Sequence, residues 1–420
     1  LIDEYDNFTN TILSTYGTEF YRKATHGEGF IRGFFNVIKS ATTGTGAALE
    51  RLFITGVSPV TMDDVTSGFN IGTNITNDSW FNDLVGFSEN ELREMLEYYK
   101  EQGVLQESID EIVAMMKPNY DNYCFSEDTL EQCMFNSDMA LYFLKSFVLH
   151  HKKPKEIVDP NIRTDFNKLA YLIKLDHGLG ENFSVIKEIA EQGEIITDIV
   201  THFSALEMTD PSNFKSLLFY FGLLSIKGVD MVGRPILHVP NLVVREQLFN
   251  FLIQGYIKHD IFKIDMNKMS ALFENMAFRG DWKPLFDFIA NAVREQSRIR
   301  EYIEGEAHIK GFLLAYLGMY RYYQLYPEYE LNKGFADFFF KPSLSVPVLP
   351  PFTYLLEVKY AKAGASEKEI RALADEAREQ LLRYSEDELV AEAKAKGELK
   401  LITIVWRSWE LVLLEEVTLS

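Results

Sequence analysis

Cysteine is almost missing from this sequence, which has only Cys124 and Cys133 in 420 residues. Two thiols exclude a disulfide framework and a four-cysteine zinc site. Long apolar runs are missing as well, because no stretch reaches the roughly 18 apolar residues that a membrane span needs. The N-terminus also lacks a basic region followed by an apolar stretch. We therefore expect no membrane span, no signal peptide and a cytoplasmic location.

Positive charge is scarce, with 42 Lys and Arg against 62 Asp and Glu and a formal net charge of -20. This balance argues against non-specific coating of nucleic acid, which depends on clustered cations. From residue 295 onward, 16 Lys and Arg face 21 Asp and Glu, a difference of only -5. Because bound metal ions neutralise carboxylates, this C-terminal part stays compatible with DNA or RNA.

Metal sites built from histidine or cysteine are not predicted, because the eight histidines and two cysteines show neither HxxxH nor CxxC spacing. The hydrophobic fraction of 47% and the charged fraction of 25% are ordinary for soluble globular proteins. A chain of this length is long enough for two or three domains.

The chain opens with LIDEYD, which reads as the end of a buried strand that delivers Asp3 and Glu4. An apolar strand ending in Asp-Glu is typical of a Walker B motif, in which Asp holds a magnesium shell and Glu orients the attacking water. A second strand-like run, RLFITG, ends in Thr55, where P-loop NTPases place a polar group near the γ-phosphate. With the helical stretch between these runs, the order predicts an α/β sheet.

The middle of the chain has mainly helical patterns. Ser88 and Glu91 form a predicted capping box, and further on an amphipathic helix at 214–227, a short strand at 234–239 and a helix at 243–254 follow one another. This order suggests a winged-helix-like module that contacts DNA or relays nucleotide state. Sparse basic residues keep open the alternative of a packing module between two domains.

Residues 353–360 (TYLLEVKY) alternate as a strand, so Leu355, Glu357 and Lys359 share one face. A carboxylate and an ammonium on one side of a buried strand are costly unless they are paired. Upstream, GFADFFF is a second strand-like run with Asp337 among apolar neighbours. The proline-rich loop between the runs permits an antiparallel hairpin that brings Asp337 beside Glu357.

Two carboxylates and a lysine gathered in this way suit phosphodiester hydrolysis. The carboxylates bind one or two magnesium ions, and the lysine positions the attacking water or stabilises the transition state. Around this hairpin, the sequence predicts a first helix at 303–322, a second helix from Ser366 and two strands at 399–406 and 409–417. The predicted order is α, β, β, β, α, β.

Several segments carry a family resemblance: LIDEYDNFTN, LFITGVSPVTMDDVTSGFNIGTNIT and FNDLVGFSENELREML in the first 96 residues, then GFAD, LLEVKY and AREQLLRY near the C-terminus. In order and spacing they resemble bacterial and archaeal proteins that join an AAA-ATPase-like domain to a PD-(D/E)XK nuclease domain.

For the C-terminal part, the resemblance implies that Asp337, Glu357 and Lys359 are the catalytic triad, with Asp337 and Glu357 as metal ligands. Gln380 is then a supporting polar residue of the next helix, and Glu306 in GEAHIKGF is the first-helix carboxylate. Glu330, a few residues before GFAD, remains as an alternative structural acid at a strand end.

For the N-terminal part, the resemblance implies that Asp3 and Glu4 are the Walker B pair, with Asp3 at the metal, and that Thr55 or Ser58 forms the sensor region. The family carries a Walker A loop upstream, but no GxxxxGK[ST] occurs in this chain. Either the sequence is a fragment or it cannot bind ATP in the usual way. We expect a fragment, with ATP bound if the loop exists.

The expected fold class is α/β plus α-helical, in three parts. Residues 1–86 are the C-terminal half of a P-loop NTPase domain, 87–294 a helical and winged-helix-like region, and 295–420 a PD-(D/E)XK nuclease-like domain. We expect a nuclease that uses Mg²⁺ or Mn²⁺ to hydrolyse DNA, joined to an ATP-binding regulatory domain. The alternative is an NTPase switch or binding protein with a catalytically inactive nuclease fold. The sequence leaves the strand preference, the choice between DNA and RNA and the oligomeric state open.

Overall fold

The computed structural model describes residues 1–57, 64, 72–154, 157–159, 181–204, 207–208, 210–258, 265–295, 305–318, 320, 322–331, 334–343, 346 and 348–418. The chain divides into two units. The first comprises 1–149, 158–185 and 194–241, and the second comprises 150–157, 186–193 and 242–420. Among the residues so described, no helix combines the length and the apolar character that crossing a membrane requires.

Helices dominate the chain up to residue 192. They are α1 (Asn7–Tyr16), α2 (Thr18–Thr25), α3 (Phe30–Ala41), α4 (Glu89–Glu101), α5 (Ile109–Tyr120), α6 (Ser137–His150) and α7 (Glu181–Gln192), with short 3-10 helices at Ser79–Phe81 and Glu127–Thr129.

In place of the two N-terminal strands predicted from the sequence, the structure has a single parallel bridge between Ile2 and Ile54. The prediction of a buried strand at the N-terminus was too strong, since Leu1 is 86% exposed. The described residues of this unit supply no further strand beside the bridge, and two short segments alone give little sheet stability. The helix expected between them is present as α3, which packs Ile31, Phe35 and Ile38 against Ile2 and Ile54.

The predicted capping box at the start of α4 is present: the Ser88 hydroxyl accepts from the Glu91 backbone N–H, and the Glu91 carboxylate accepts from the Ser88 N–H. The predicted helix at 214–227 is only partly correct. Helix α8 (Pro211–Tyr220) ends early because Gly222 adopts a left-handed φ of 69°, a conformation that terminates helices.

A three-stranded antiparallel sheet belongs to the same unit. It contains β1 (Glu194–Ile196), β2 (Ser225–Val229) and β3 (Pro235–His238) in the order β1-β3-β2. Strand β3 confirms the strand predicted at 234–239, while β2 occupies residues that the sequence assigned to a helix. The helix predicted at 243–254 is α9 (Leu242–Lys258). Contact of this module with DNA stays a prediction.

The second unit contains a mixed five-stranded sheet and its helices. The helices after α9 are α10 (Met266–Arg279), α11 (Lys283–Glu295), α12 (Glu306–Leu317), α13 (Glu367–Tyr384) and α14 (Glu388–Lys396). The strands are β4 (Tyr323–Leu331), β5 (Gly334–Pro342), β6 (Phe352–Ala361), β7 (Glu398–Arg407) and β8 (Glu410–Val417).

This sheet has the order β4-β5-β6-β7-β8, with β6 and β7 parallel and all other neighbours antiparallel. The parallel pair is joined through α13 and α14, as parallel neighbours require a crossover connection. The predicted order α, β, β, β, α, β is present from α12 to β7, with α14 as an addition, and β8 follows where the second of the two late strands was predicted.

The predicted alternation of β6 is also confirmed. Leu355 packs in a buried cluster with Leu381 and Tyr384 of α13, so the face it shares with Glu357 and Lys359 lies under this helix. On the opposite face, the Tyr354 hydroxyl donates to a backbone carbonyl of α10 at 2.7 Å. Helix α13 therefore covers the face of the sheet that carries the candidate catalytic residues.

Helix α13 begins with a capping box that we expect to stabilise the second unit. The Ser366 backbone N–H donates to the Glu369 carboxylate at 2.7 Å, and the Ser366 hydroxyl accepts from the Glu369 N–H at 3.3 Å. Replacing Ser366 with Ala should lower the unfolding free energy of this unit by about 1 kcal/mol in urea titrations. Ser366→Thr, which retains the capping oxygen, is the matched control. Equal loss in both variants would contradict this role for the cap.

Candidate active site

The two strands that carry Asp337 and Glu357 part at these residues. The described β5–β6 ladder ends at the pair Phe338 and Leu356, one position before Asp337 and Glu357. There the carboxylates replace backbone pairing: Asp337 Oδ2 accepts from the Val358 N–H at 2.6 Å, and Glu357 Oε2 accepts from the Asp337 N–H at 3.4 Å. The hairpin expected from the sequence thus brings both carboxylates together.

Lys359 lies next to this pair on the same face of β6. Its Nζ is 3.6 Å from Glu357 Oε1 and 3.0 Å from Glu376 Oε1 of α13. The side chain is 13% exposed, so the ammonium is held by two carboxylates yet still reaches the surface. The three residues predicted as a triad therefore form one cluster, while their catalytic roles stay predictions.

Glu306 reaches the cluster indirectly, through a lysine that the sequence analysis did not single out. Lys310 Nζ lies 3.0 Å from Glu306 Oε1, one turn earlier on α12, and 3.0 Å from Glu328 Oε1 of β4. It also forms an ion pair with Asp337 Oδ1. Three carboxylates from three elements thus surround one ammonium.

Burial shapes the electrostatics of the two central carboxylates, since Asp337 is 5% and Glu357 2% exposed. Burial, followed by the nearby charge of Asp337, raises the pKa of Glu357 to about 8. Burial also raises the pKa of Asp337, but only to about 6, because Lys310 and the Val358 N–H stabilise its charged form. For both carboxyls, burial outweighs the nearby positive charges.

The pKa of Lys359 is shifted in the opposite sense from what burial alone would cause. Burial lowers it, but the hydrogen bond to Glu376 and the negative charges of Glu357, Glu376 and Asp337 outweigh burial, so the pKa is raised. Lys359 is therefore an ammonium at neutral pH, the form that is able to stabilise negative charge on a phosphate.

Gln380 lies on α13, one turn after Glu376, and its Oε1 is buried without a hydrogen-bond partner among the residues described here. The same holds for the hydroxyl of Thr403, which is 2% exposed and pairs with Glu357 in the β6–β7 register. Buried polar atoms of this kind are commonly satisfied by ordered water or a ligand. The supporting role of Gln380 stays a prediction.

Four residues of this region were missed from the sequence: Lys310, Glu328, Glu376 and Thr403. For Lys310 a signal existed, since it follows Glu306 at the i,i+4 spacing of a helical ion pair. Glu328 gave none, because it has a positive φ of 43° that breaks the period-two alternation of β4. Glu330, the alternative acid in this part of the sequence, is exposed.

The donor set suits a hard divalent cation. Asp337 and Glu357 supply carboxylate oxygens, the ligands that Mg²⁺ and Mn²⁺ prefer, and a bound cation would favour the charged forms of both groups. Among the described residues, no three or more His, Cys, Asp or Glu side chains are already grouped as a metal site. The fit therefore rests on the pair of buried carboxylates.

The N-terminal residues predicted to bind nucleotide are described except for Ser58, which lies outside the described residues. Next to the Ile2–Ile54 bridge, the Thr55 hydroxyl donates to Asp3 Oδ1. The Glu4 carboxylate accepts from the Asn7 side-chain amide at 2.9 Å. Thr55 and Asp3 are thus in contact, while their roles as sensor and Walker B residues stay predictions.

Comparison with known families gives two matches. Residues 304–416 match the PD-(D/E)XK nuclease superfamily, and residues 1–66 match a family described as a predicted AAA-ATPase. The order of the two matches along the chain is the order that the sequence resemblance implied. No curated protein matches the chain.

The buried carboxylates predict how the stability of the metal-free protein depends on pH. The pKa of Glu357 is about 8 in the folded state but about 4.3 in an unfolded chain. Between these two pH values the folded state therefore binds more protons than the unfolded chain. The contribution of Glu357 to the free energy of unfolding is fully present below about pH 4.3 and is lost as pH rises through about 8. Asp337 adds a smaller loss up to about pH 6.

We expect Glu357→Gln to remove most of this loss, because the amide stays neutral. In EDTA, the melting temperature of this variant should exceed that of the wild type by a margin that grows from about pH 5 to about pH 8. Glu379→Gln, at an exposed position of α13, is the matched control. A margin that is constant with pH would contradict the raised pKa of Glu357.

Proposed function

We propose that this protein is a magnesium-dependent nuclease that hydrolyses phosphodiester bonds in DNA. Two family matches support the proposal: the C-terminal part matches the PD-(D/E)XK nuclease superfamily, and the N-terminal segment matches a predicted AAA-ATPase family. The observation that carries the proposal is the parting of β5 and β6 at Asp337 and Glu357, with Lys359 beside them. We further propose that it acts in the cytoplasm.

In this proposal, Asp337, Glu357 and Lys359 have separate roles. Asp337 and Glu357 would hold Mg²⁺ or Mn²⁺, which supplies positive charge to the phosphate and lowers the pKa of a bound water. Asp337 is fixed by its hydrogen bond to the Val358 N–H, so one of its oxygens keeps a defined position. The Lys359 ammonium orients the attacking water and stabilises negative charge on the phosphate.

Glu376 acts as a positioning residue for Lys359. Its carboxylate holds the ammonium at 3.0 Å, nearer than Glu357 does at 3.6 Å. This second partner holds Lys359 beside Glu357 without a close ion pair between them, so the lysine would compete only weakly with a metal ion for Glu357. Gln380, one turn along the same helix, would bind a water with its buried oxygen, which has no hydrogen-bond partner among the described residues.

The N-terminal segment would make the nuclease depend on nucleotide. Asp3 would hold the magnesium of a bound ATP, Glu4 would orient water, and Thr55 would sense the γ-phosphate, with Ser58 as the alternative sensor. ATP binding in this proposal requires a Walker A loop, which the 420 residues do not contain.

The proposal is tested by a cleavage assay on single- and double-stranded DNA and on RNA, with Mg²⁺, Mn²⁺ or EDTA, and with and without ATP. We expect metal-dependent cleavage of DNA that falls by about 100-fold or more in Lys359→Ala, since a preorganised charge at the reacting phosphate is lost. Lys362→Ala, at an exposed position three residues further on, should cleave like the wild type.

If Lys359→Ala cleaves DNA as fast as the wild type, the proposed site is contradicted. Absence of cleavage in every condition, with Mn²⁺ still bound in a manner that Glu357→Gln abolishes, would instead favour the switch or binding protein with an inactive nuclease fold. Preferential cleavage of RNA would correct the substrate while leaving the site in place.

A further inference from the structure

Lys310 lies among three carboxylates of the second unit. Its ammonium contacts Asp337 Oδ1 and lies 3.0 Å from both Glu306 Oε1 and Glu328 Oε1. The side chain is 19% exposed, whereas the Glu306 and Glu328 side chains are 44% and 42% exposed. One partner of Lys310 is therefore a buried candidate metal ligand, and the other two lie at the surface.

The contact with Asp337 involves the one carboxylate oxygen that is not committed to the backbone. Asp337 Oδ2 accepts from the Val358 N–H at 2.6 Å, which fixes the orientation of the carboxylate. The remaining oxygen, Oδ1, is bound by Lys310. A metal ion that binds Asp337 through Oδ1 must therefore compete with the ammonium.

The backbone of β4 is shaped to deliver a second partner to Lys310. In the β4–β5 register, Pro327 pairs with Phe338 and Tyr329 with Ala336, which places Glu328 opposite Asp337. Glu328 has a φ of 43°, a conformation that is unfavourable for a residue with a Cβ. Such strain is retained mainly where the surrounding structure or function requires it.

We propose that Lys310 is an internal counter-ion that occupies the place of the divalent cation in the metal-free protein. When a metal ion binds, the Lys310 ammonium leaves Asp337 Oδ1 and stays paired with Glu306 and Glu328. This inference rests on the proposed function, because it needs a metal at Asp337 and Glu357. An ammonium and a divalent cation repel each other, so a metal ion bound at Oδ1 weakens the contact of Lys310 with that oxygen.

The exchange has two physical consequences. In the metal-free protein, Lys310 stabilises a buried carboxylate that would otherwise have only a backbone N–H as its partner, which supports folding. In the metal-bound protein, the ammonium remains within reach of two surface carboxylates, so its displacement leaves no isolated charge. The metal affinity of the site is therefore set lower than its own ligands would give.

The test is titration calorimetry of metal-free full-length protein with Mn²⁺ alone at neutral pH. Lys310→Met should bind Mn²⁺ more tightly than the wild type, on the order of tenfold, because the competing charge is gone. Lys310→Arg, which keeps the charge, should bind no more tightly than the wild type. Circular dichroism and the melting temperature in EDTA check that each variant folds.

The matched control is Lys400→Met. Lys400 is 13% exposed and lies 3.1 Å from each of two carboxylates, Glu398 and Glu416, in the same sheet. Its replacement removes a bridging lysine of the same kind without touching Asp337 or Glu357, so Mn²⁺ affinity should not change. Mn²⁺ should also raise the melting temperature of Lys310→Met by more than that of the wild type.

A double-mutant cycle separates the role of Glu328 from that of a metal ligand. Glu328→Gln alone should weaken Mn²⁺ binding, roughly threefold, because Lys310 then stays on Asp337. If Glu328 acts only through Lys310, the double variant Lys310→Met, Glu328→Gln should bind as tightly as Lys310→Met. A double variant weaker than Lys310→Met would make Glu328 a metal ligand and overturn its assigned role.

The outcomes also separate the inference from the proposed function. If Glu357→Gln abolishes Mn²⁺ binding but Lys310→Met binds Mn²⁺ no more tightly than the wild type, the counter-ion role is overturned. The metal site of the proposed nuclease is then still supported. If neither the wild type nor Lys310→Met binds Mn²⁺, the metal site of the proposed function fails, and the inference fails with it.

Discussion

Two carboxylates buried side by side are the constraint on which the candidate site depends. Asp337 and Glu357 lie at the point where β5 and β6 part, and each is at least 95% buried. Neither residue could stay charged there without compensation, because a buried ion without a partner is costly. The surrounding structure supplies that compensation from the backbone and from two lysines.

Two helices and strand β6 each provide one part of this compensation. Helix α12 brings Lys310 to Asp337, β6 itself brings Lys359 to Glu357, and α13 places Glu376 behind Lys359. Lys310 and Lys359 are each shared with other carboxylates, and burial outweighs their charge, so the pKa of both carboxyls is raised. The site is thus held together by its ion pairs but not neutralised by them.

Much of this arrangement could be predicted from the sequence, because it follows from the period of a strand. The alternation of TYLLEVKY placed Glu357 and Lys359 on one face, and Asp337 stood out as a lone acid in an apolar run. The loop between the two runs then implied a hairpin. These inferences use only local geometry, which the sequence specifies directly.

The rest depended on geometry that the sequence does not specify. The positive φ of Glu328 turns its carboxylate toward Lys310, and no residue pattern marks that turn. The helix predicted at 214–227 ended at Gly222, where a left-handed glycine outweighed the amphipathic pattern. The predicted N-terminal strand became a single bridge at Ile2, because sheet pairing depends on neighbouring strands rather than on the segment alone.

The central claim is that Asp337 and Glu357 together bind a divalent cation, and X-ray diffraction from crystals soaked in Mn²⁺ tests it most directly. An anomalous difference map recorded at the manganese edge should show a peak within bonding distance of carboxylate oxygens from both residues. A fully soaked crystal with no peak there, or with manganese only at other carboxylates, would contradict the claim.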